Sequence, residues 1–260
     1  MTLFPHAMSL RDDTGPAPDA EGAELPVPSA RRRQRAANEA LILDAAERVF
    51  AGAGFGGATM AAIAEAATLP KANLHYYFGN KRTLYRAVLA RILGDWLAPV
   101  RGITPQADPR ATLETYVRDK MRLAFARPHA SKVFANELLH GAPEIGDMLV
   151  HTLRPLVRDK AAVIDGWIAQ GRMDVVDSTH LFFTIWAATQ TYADFAVQVQ
   201  AVLGVAALDA DQQQRATRHV LDMVLRGCGL TPAYSRASAA DSSGTEETVP
   251  LLTLPIGEIR

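Results

Sequence analysis

The sequence predicts an all-α protein, and three observations lead there. Apolar residues recur at the three- and four-residue spacings of a helix face. No stretch sustains the two-residue alternation of a half-buried strand. Glycine, proline and threonine divide the chain into segments of helical length. With 260 residues and 48 % apolar side chains, the chain is long enough for one sizeable core or two smaller ones.

Residues 1–30 are rich in Pro, Ala and acids and end in "LPVPSA", a composition that predicts disorder. The run "RRRQR" follows at 31–35. It reads either as a flexible arm reaching phosphates or as the solvated start of a helix. Ile42, Ala45, Ala46, Val49 and Phe50 then fall on one helix face, which Gly52 and Gly54 are expected to end. Thr59 is a plausible cap for a short helix, Met60–Ala67, with Ile63 and Ala64 inward. The break "TLP" separates it from a third short helix, Lys71 to Phe78. A longer helix starts near Lys81, with Leu84, Val88, Ile92 and Trp96 on one face up to Pro99. After "ITPQADP" come helices at about 110–127, 130–140, 143–170, 178–203 and 209–228. Pro155 lies inside the third of these and should kink or split it. From Pro232 the chain is again low in complexity, apart from an apolar "LLTLPIGEIR" at the end. The expected organisation is an extension with a basic arm at 1–35, a three-helix unit at 36–88, a larger helical body at 89–230 and a tail at 231–260.

Net charge is −1, so total charge names no partner, but its distribution is uneven. From Arg31 to Arg91 ten Lys/Arg face Glu39, Asp44, Glu47 and Glu65, a local basic excess that suits a phosphate backbone. Cys228 is the only cysteine, so neither an intrachain disulfide nor a Cys-based zinc site is available. Neither a signal-peptide core nor a run of the roughly 18–20 apolar residues of a membrane span is apparent, and a cytoplasmic protein is expected.

The segment "KANLHYYF" sets His75, Tyr76, Tyr77 and Phe78 side by side, which one buried stripe cannot accommodate. Leu74 and Phe78 face inward with Tyr77 beside them, leaving Lys71, Asn73, His75 and Tyr76 presented. Two short helices joined by a tight turn form a helix-turn-helix, whose second helix can enter the DNA major groove. Lys71 and Asn73 suit base edges, since Lys bonds guanine acceptors and Asn the mixed edge of adenine. Tyr76 and His75 suit phosphate oxygens, as do Lys81 and Thr59 beside them.

Residues 42–89, with "GF", a Thr-capped helix, "YYF" and Lys81 three residues after Phe78, strongly resemble the N-terminal domain of TetR-family transcriptional regulators. The resemblance implies a homodimer that binds a near-palindromic operator in double-stranded DNA. The last two long helices would form its four-helix interface. Two departures stand out: Thr68 where the family's turn often has Gly, and Pro70 where a Ser or Thr cap is common. Proline suits a first helical turn, and altered turn geometry or sequence preference is expected from the two changes.

A regulator needs a sensor, and "HLFFTIWAATQTYADFAVQVQ" (180–200) is the most informative segment. Phe182, Trp186, Gln190 and Asp194 are spaced by four, an aromatic stripe with two polar groups. They suit either an apolar cavity with orienting groups or the wet edge of a dimer interface. Trp96 reads equally as a ligand contact or as core packing. Glu137 and Asp194 are a conceivable carboxylate pair, for which spacing gives no support. "RILGDWLAPV", "ELLHGAP" and "IWAATQTYADFAVQV" resemble pyrimidine-utilisation regulators of the Rut type, a branch that responds to uracil and thymine. That resemblance implies a neutral pyrimidine effector paired to Gln190 and covered by Trp96 or Trp186. An unrelated effector is the alternative, although few basic residues fall on the likely pocket helices, which disfavours a highly charged one. His129, His140, His151 and His180 are scattered without metal-ligand spacing, and neither a phosphate loop nor a nucleophile elbow appears. Neither a cofactor nor catalysis is therefore expected. A helical enzyme and an architectural DNA-binding protein are the remaining, weaker readings.

Overall fold

The computed structural model describes residues 30–232, so the acidic N-terminal stretch and the tail from 233 lie outside the described residues. Among the described residues there are helices and no strand. Contacts divide the chain into two units, Met1–Asn38 and Glu39–Arg260. In the first, the described part is helical, so "RRRQR" lies in the first turns of a helix. Arg31, Arg32, Arg33 and Arg35 are exposed there, and Gln34 donates to Asn38 Oδ1 at 3.1 Å.

Helix α1 (Ala30–Gly57) carries the expected face, with Ile42, Ala45, Ala46 and Phe50 buried. Gly52 does not end it. The break comes at Gly54, whose φ of 66° favours glycine, and one further turn reaches Gly57. Helices α2 (Met60–Ala67) and α3 (Lys71–Phe78) follow, then α4 (Lys81–Leu97), which Asn80 caps through Thr83 N–H at 3.0 Å. A 3₁₀ turn at Pro99–Gly102 leads to α5 (Pro109–Ala126) and α6 (Pro128–Leu139).

The segment expected at 143–170 is broken, as Pro155 requires. A short α7 (Gly146–Met148) runs into a π-helical turn, Leu149–Leu153, and then into α8 (Arg154–Ala169). Pro155 follows this π turn, in which Arg154 N–H bonds Leu149 O five residues back, so the helix is widened at the point where proline can supply no N–H. The segment 178–203, expected as one helix, is two: α9 (Ser178–Asp194) and α10 (Ala196–Leu203). Phe195, at φ −110° and ψ 32°, leaves helical geometry between them. Asp209 and Gln212 form a capping box that starts α11 (Ala210–Gly227).

Two apolar cores result. One joins α1–α4 with Val133 and Phe134 of α6 and with Ile145. The other gathers α5, α8, α9 and α11 around Trp167, Tyr116 and Phe182. Helix α4 runs through residues 88 and 89, so the three-helix unit and the body share it. A charged cluster ties them further. Buried Glu47 of α1 accepts from Arg91 of α4 at 3.0 Å and from Arg127 between α5 and α6. Arg127 also bonds Asp95 of α4. One carboxylate thereby fixes α1 against both α4 and the body.

Candidate nucleic-acid interface and ligand cavity

The turn before α3 is built by its backbone. Thr68 ends α2 in the left-handed conformation, φ 55° and ψ 39°, with its N–H on the Ala64 and Glu65 carbonyls. Leu69 N–H also reaches Ala64 O, at 3.0 Å. Thr68 therefore takes the conformation a glycine would take, without any loss of the turn. Pro70 is the N-cap residue, not part of the first helical turn as expected, and α3 has no side-chain cap.

On α3, Leu74 and Phe78 are buried, Tyr77 is half-buried, and Lys71, His75 and Tyr76 are exposed; Asn73 is half-buried. The aromatic block is thus divided between floor and surface. Tyr76, 73 % exposed, stands edge-on to Tyr77 at 5.2 Å, which holds its ring outward. His75 Nδ1 lies 2.8 Å from Gly79 O. A carbonyl only accepts, so Nδ1 carries the proton, and the neutral ring offers Nε2 as an acceptor. Only its imidazolium can donate to phosphate from that nitrogen.

Two expected phosphate contacts have prior partners. Thr59 Oγ1 accepts from Ala62 N–H at 3.0 Å as the cap of α2, with its hydroxyl proton still available. Lys81 Nζ donates to the carbonyls of Phe55 at 2.7 Å and Ala58 at 2.9 Å, and lies 4.6 Å from the Phe55 ring centroid. Its role in this structure is to close the end of α1, and not to present a free ammonium.

In the body, a cavity of about 180 Å³ lies between α4, α5, α6, the π-turn and α9. Trp96, Trp186 and Gln190 line it together. The Trp96 ring packs edge-on against Phe134 at 4.8 Å. Trp186 Nε1 donates to Tyr116 Oη at 2.7 Å, so the indole is fixed and its N–H is engaged. Burial pushes the Tyr116 phenol up to about 12. The Gln190 amide, half-buried, has no hydrogen-bond partner among the described residues.

Phe182 and Asp194 do not line this cavity. Phe182 is buried in the second core, between Tyr116 and Trp186. Asp194 accepts from Ser131 Oγ and faces a separate groove on α6. Burial raises its carboxyl above the usual range, opposed by the Ser131 bond and by Lys120 and Lys132. The cause is helical drift: positions four apart rotate by roughly 40° per step, so the first and last of this stripe stand about 120° apart. Glu137 does not pair with Asp194 and instead accepts from Glu144 N–H at 2.6 Å.

The cavity contains a residue that spacing on α9 could not reveal. Lys120 of α5 is 4 % exposed, and its Nζ lies 4.5 Å from the Trp96 ring centroid. Burial brings its ammonium down to about 8, and Asp194 acts against that shift. The sequence does hold a signal. Leu113, Tyr116, Val117, Lys120, Met121 and Ala124 form the buried stripe of α5, and one member is a lysine.

The arrangement matches known proteins over both halves. The model for bacterial regulatory proteins of the tetR family matches residues 42–88, and the model for the C-terminal region of YcdC-like proteins matches 89–231. The HTH-type transcriptional regulator RutR of Escherichia coli (strain K12) is 40 % identical over 197 residues, 76 % of this chain and 93 % of that protein. RutR of Shigella flexneri matches to the same extent. Among solved structures, a TetR-like regulator from Rhodococcus sp. RHA1 shares the fold at TM-score 0.54 and 21 % identity, covering 78 % of this chain and 98 % of that one. PfmR from Thermus thermophilus does so at TM-score 0.56 and 18 % identity, covering 77 % and 97 %. With the two models together matching residues 42–231 and a relative 40 % identical over most of its length, the chain belongs to the TetR family of bacterial transcriptional regulators.

Proposed function

We propose that this regulator is a homodimeric, cytoplasmic repressor without catalytic activity, released from its operator by a small pyrimidine such as uracil or thymine. The observation that carries the effector is the Gln190 amide, without a partner among the described residues, in a cavity of about 180 Å³ beside two tryptophans. That volume is below the roughly 300–1,000 Å³ typical of drug-sized ligands, so it favours a single ring over a lipid or a polycyclic drug. A primary amide can accept from the imide N–H of a pyrimidine dione and donate to its carbonyl. The RutR relatives, at 40 % identity, support the same reading.

On DNA, α3 carries the recognition: Lys71 and Asn73 toward base edges, Tyr76 and His75 toward phosphates, with Thr59 at the start of α2. Lys81 holds these elements in place. Apolar side chains left in water on the last helices, among them Val197, Val202 and Met223, support a second copy packing there. A two-fold dimer would read half-sites roughly 34–36 Å apart or a multiple. Coupling would run through α4, which carries Trp96 into the cavity and buries Leu84, Val88 and Leu89 in the core that supports α3. The effector shifts operator binding only by its difference in affinity between the two states.

Calorimetric titration of the dimer with uracil, with cytosine as the mismatched ring, tests this. Saturable uracil binding near one per subunit, much weaker cytosine binding, and loss of the uracil response in Gln190→Leu are expected. An unchanged response in that variant moves the effector site elsewhere.

A further inference from the structure

Burying an ammonium is costly unless acceptors replace its water. Lys120 retains only 4 % of its exposure, yet its Nζ has no hydrogen-bond acceptor among the described residues. Each element around it withholds one. Helix α4 brings the Trp96 ring face, a weak partner. Helix α9 brings Asp194, which attracts Lys120 through space while its carboxylate is bonded to Ser131 of α6. Lys132 of α6 competes for the same carboxylate. Asp194 is the one charge among the described residues that acts on Lys120. Of the remaining wall, Leu93, Leu97 and Phe134 carry no acceptor, and Gln190, which does, makes no bond to Nζ.

An apolar side chain at this position on the α5 stripe would pack without penalty. The lysine is therefore a poor choice for folding and a good one for binding. We propose that Lys120 is the specificity-determining residue of the cavity, selecting flat rings that bring a carbonyl or ionised ring oxygen to its ammonium while a second polar edge meets Gln190. This rests on the cavity being the effector site. Small cyclic imides and ring oxyanions meet the requirement. A ring with an amino group in that place sets donor against donor.

Trp96 then acquires a definite role. Its ring now stacks on the cation, and a ligand inserted between them, or bonded to Nζ beside them, must alter that contact. The indole sits on α4, so the exchange of partners occurs on the helix that the DNA-reading unit shares. A new acceptor also favours the charged form of Lys120. Because the ammonium of the free protein loses its proton near pH 8, binding there takes up protons, and affinity declines as pH rises beyond that value.

The test is calorimetry of wild type, Lys120→Met and Lys120→Gln with uracil at pH 8, in two buffers of different ionisation enthalpy. Methionine should weaken binding about 10–100-fold, the range of one lost charge-assisted hydrogen bond. Glutamine, a neutral donor, should fall between. Wild-type heat should depend on the buffer, and the heat of both variants should not. Equal affinity across the three proteins, each shown folded by circular dichroism, overturns the role of Lys120 and leaves the pyrimidine reading intact. If wild type ignores uracil, the pyrimidine reading falls instead. Thermal shifts with small cyclic imides and ring carboxylates then decide: stabilisation of wild type beyond Lys120→Met upholds the proposal, and an equal or absent response overturns it.

Discussion

The recognition helix and the cavity handle polar groups in opposite ways. On α3 the polar side chains stand in water on top of a buried Leu74–Phe78 floor, so presenting them costs the fold little. In the cavity, the Lys120 side chain is buried against an aromatic ring with no hydrogen-bond acceptor among the described residues, and that burial disfavours its ammonium. Function at the first surface is added to a stable scaffold. Under the proposed reading, function at the second is taken out of the scaffold's stability. The two regions should therefore respond differently when polar and apolar side chains are exchanged.

The largest effect is expected where floor and surface are compared on one helix. Leu74→Ala should destabilise the protein by about 2–5 kcal/mol, because Leu74 is fully buried. Lys71→Ala, one turn earlier and exposed, should stay within about 0.5 kcal/mol of wild type in stability. It should nevertheless weaken specific operator binding by about 1–3 kcal/mol, on the order of 5- to 150-fold. Denaturant melts and an operator titration measure the pair. A normal footprint with Lys71→Ala would remove that residue from recognition.

The cavity predicts the reverse sign. Without effector, Lys120→Met should be more stable than wild type below pH 8, by an amount on the order of 2–4 kcal/mol. Burial lowers the Lys120 pKa from 10.5 to about 8, so between those values the unfolded chain binds more protons than the native one. Wild-type stability therefore rises with pH across that window, and the penalty is fully present below it. Methionine has no proton to lose, so the gap between the two proteins should close as pH approaches 10.5. A gap that is constant from pH 7 to 10 would mean that Lys120 is not held as an unpaired cation.

The same contrast explains what can be read in advance. The recognition unit is local: Thr59, the turn before Pro70 and the aromatic block lie within twenty residues, and α2 and α3 have the predicted ends. Punctuation by Gly, Pro and a capping Thr acts over one or two turns, which is the range sequence periodicity covers. The break at Phe195 has no such mark, since neither Gly nor Pro occurs between α9 and α10. The cavity is assembled from Trp96, Lys120, Phe134 and Gln190, which no spacing connects. Trp186 and Gln190, four apart on one face of α9, are the two members of the aromatic and amide stripe that line it. Extending that stripe to Phe182 and Asp194 fails through accumulated rotation. Lys120 escapes a reading by spacing because a lysine normally belongs on the solvated side of a helix, and only its position among Tyr116, Val117 and Met121 says otherwise.

The smallest effect sharpens the boundary between the two kinds of site. Thr68 adopts left-handed geometry at the turn into α3, a conformation that costs a β-branched residue roughly 1–2 kcal/mol. Glycine takes it without strain but loses more entropy on folding, by roughly 0.5–1 kcal/mol. The Thr68 side chain is exposed on a short turn, so its packing does little to offset the strain. Thr68→Gly should thus stabilise the protein by no more than about 1 kcal/mol, or roughly 2–4 °C in Tm for a domain of this size. Since the Ala64 and Glu65 carbonyls already hold the turn through backbone N–H groups, operator affinity should stay within about twofold. A thermal melt beside an operator titration distinguishes the outcomes. Higher stability with unchanged affinity makes the strain incidental, whereas higher stability with altered base preference would show that the recognition unit, too, gives up stability for its function.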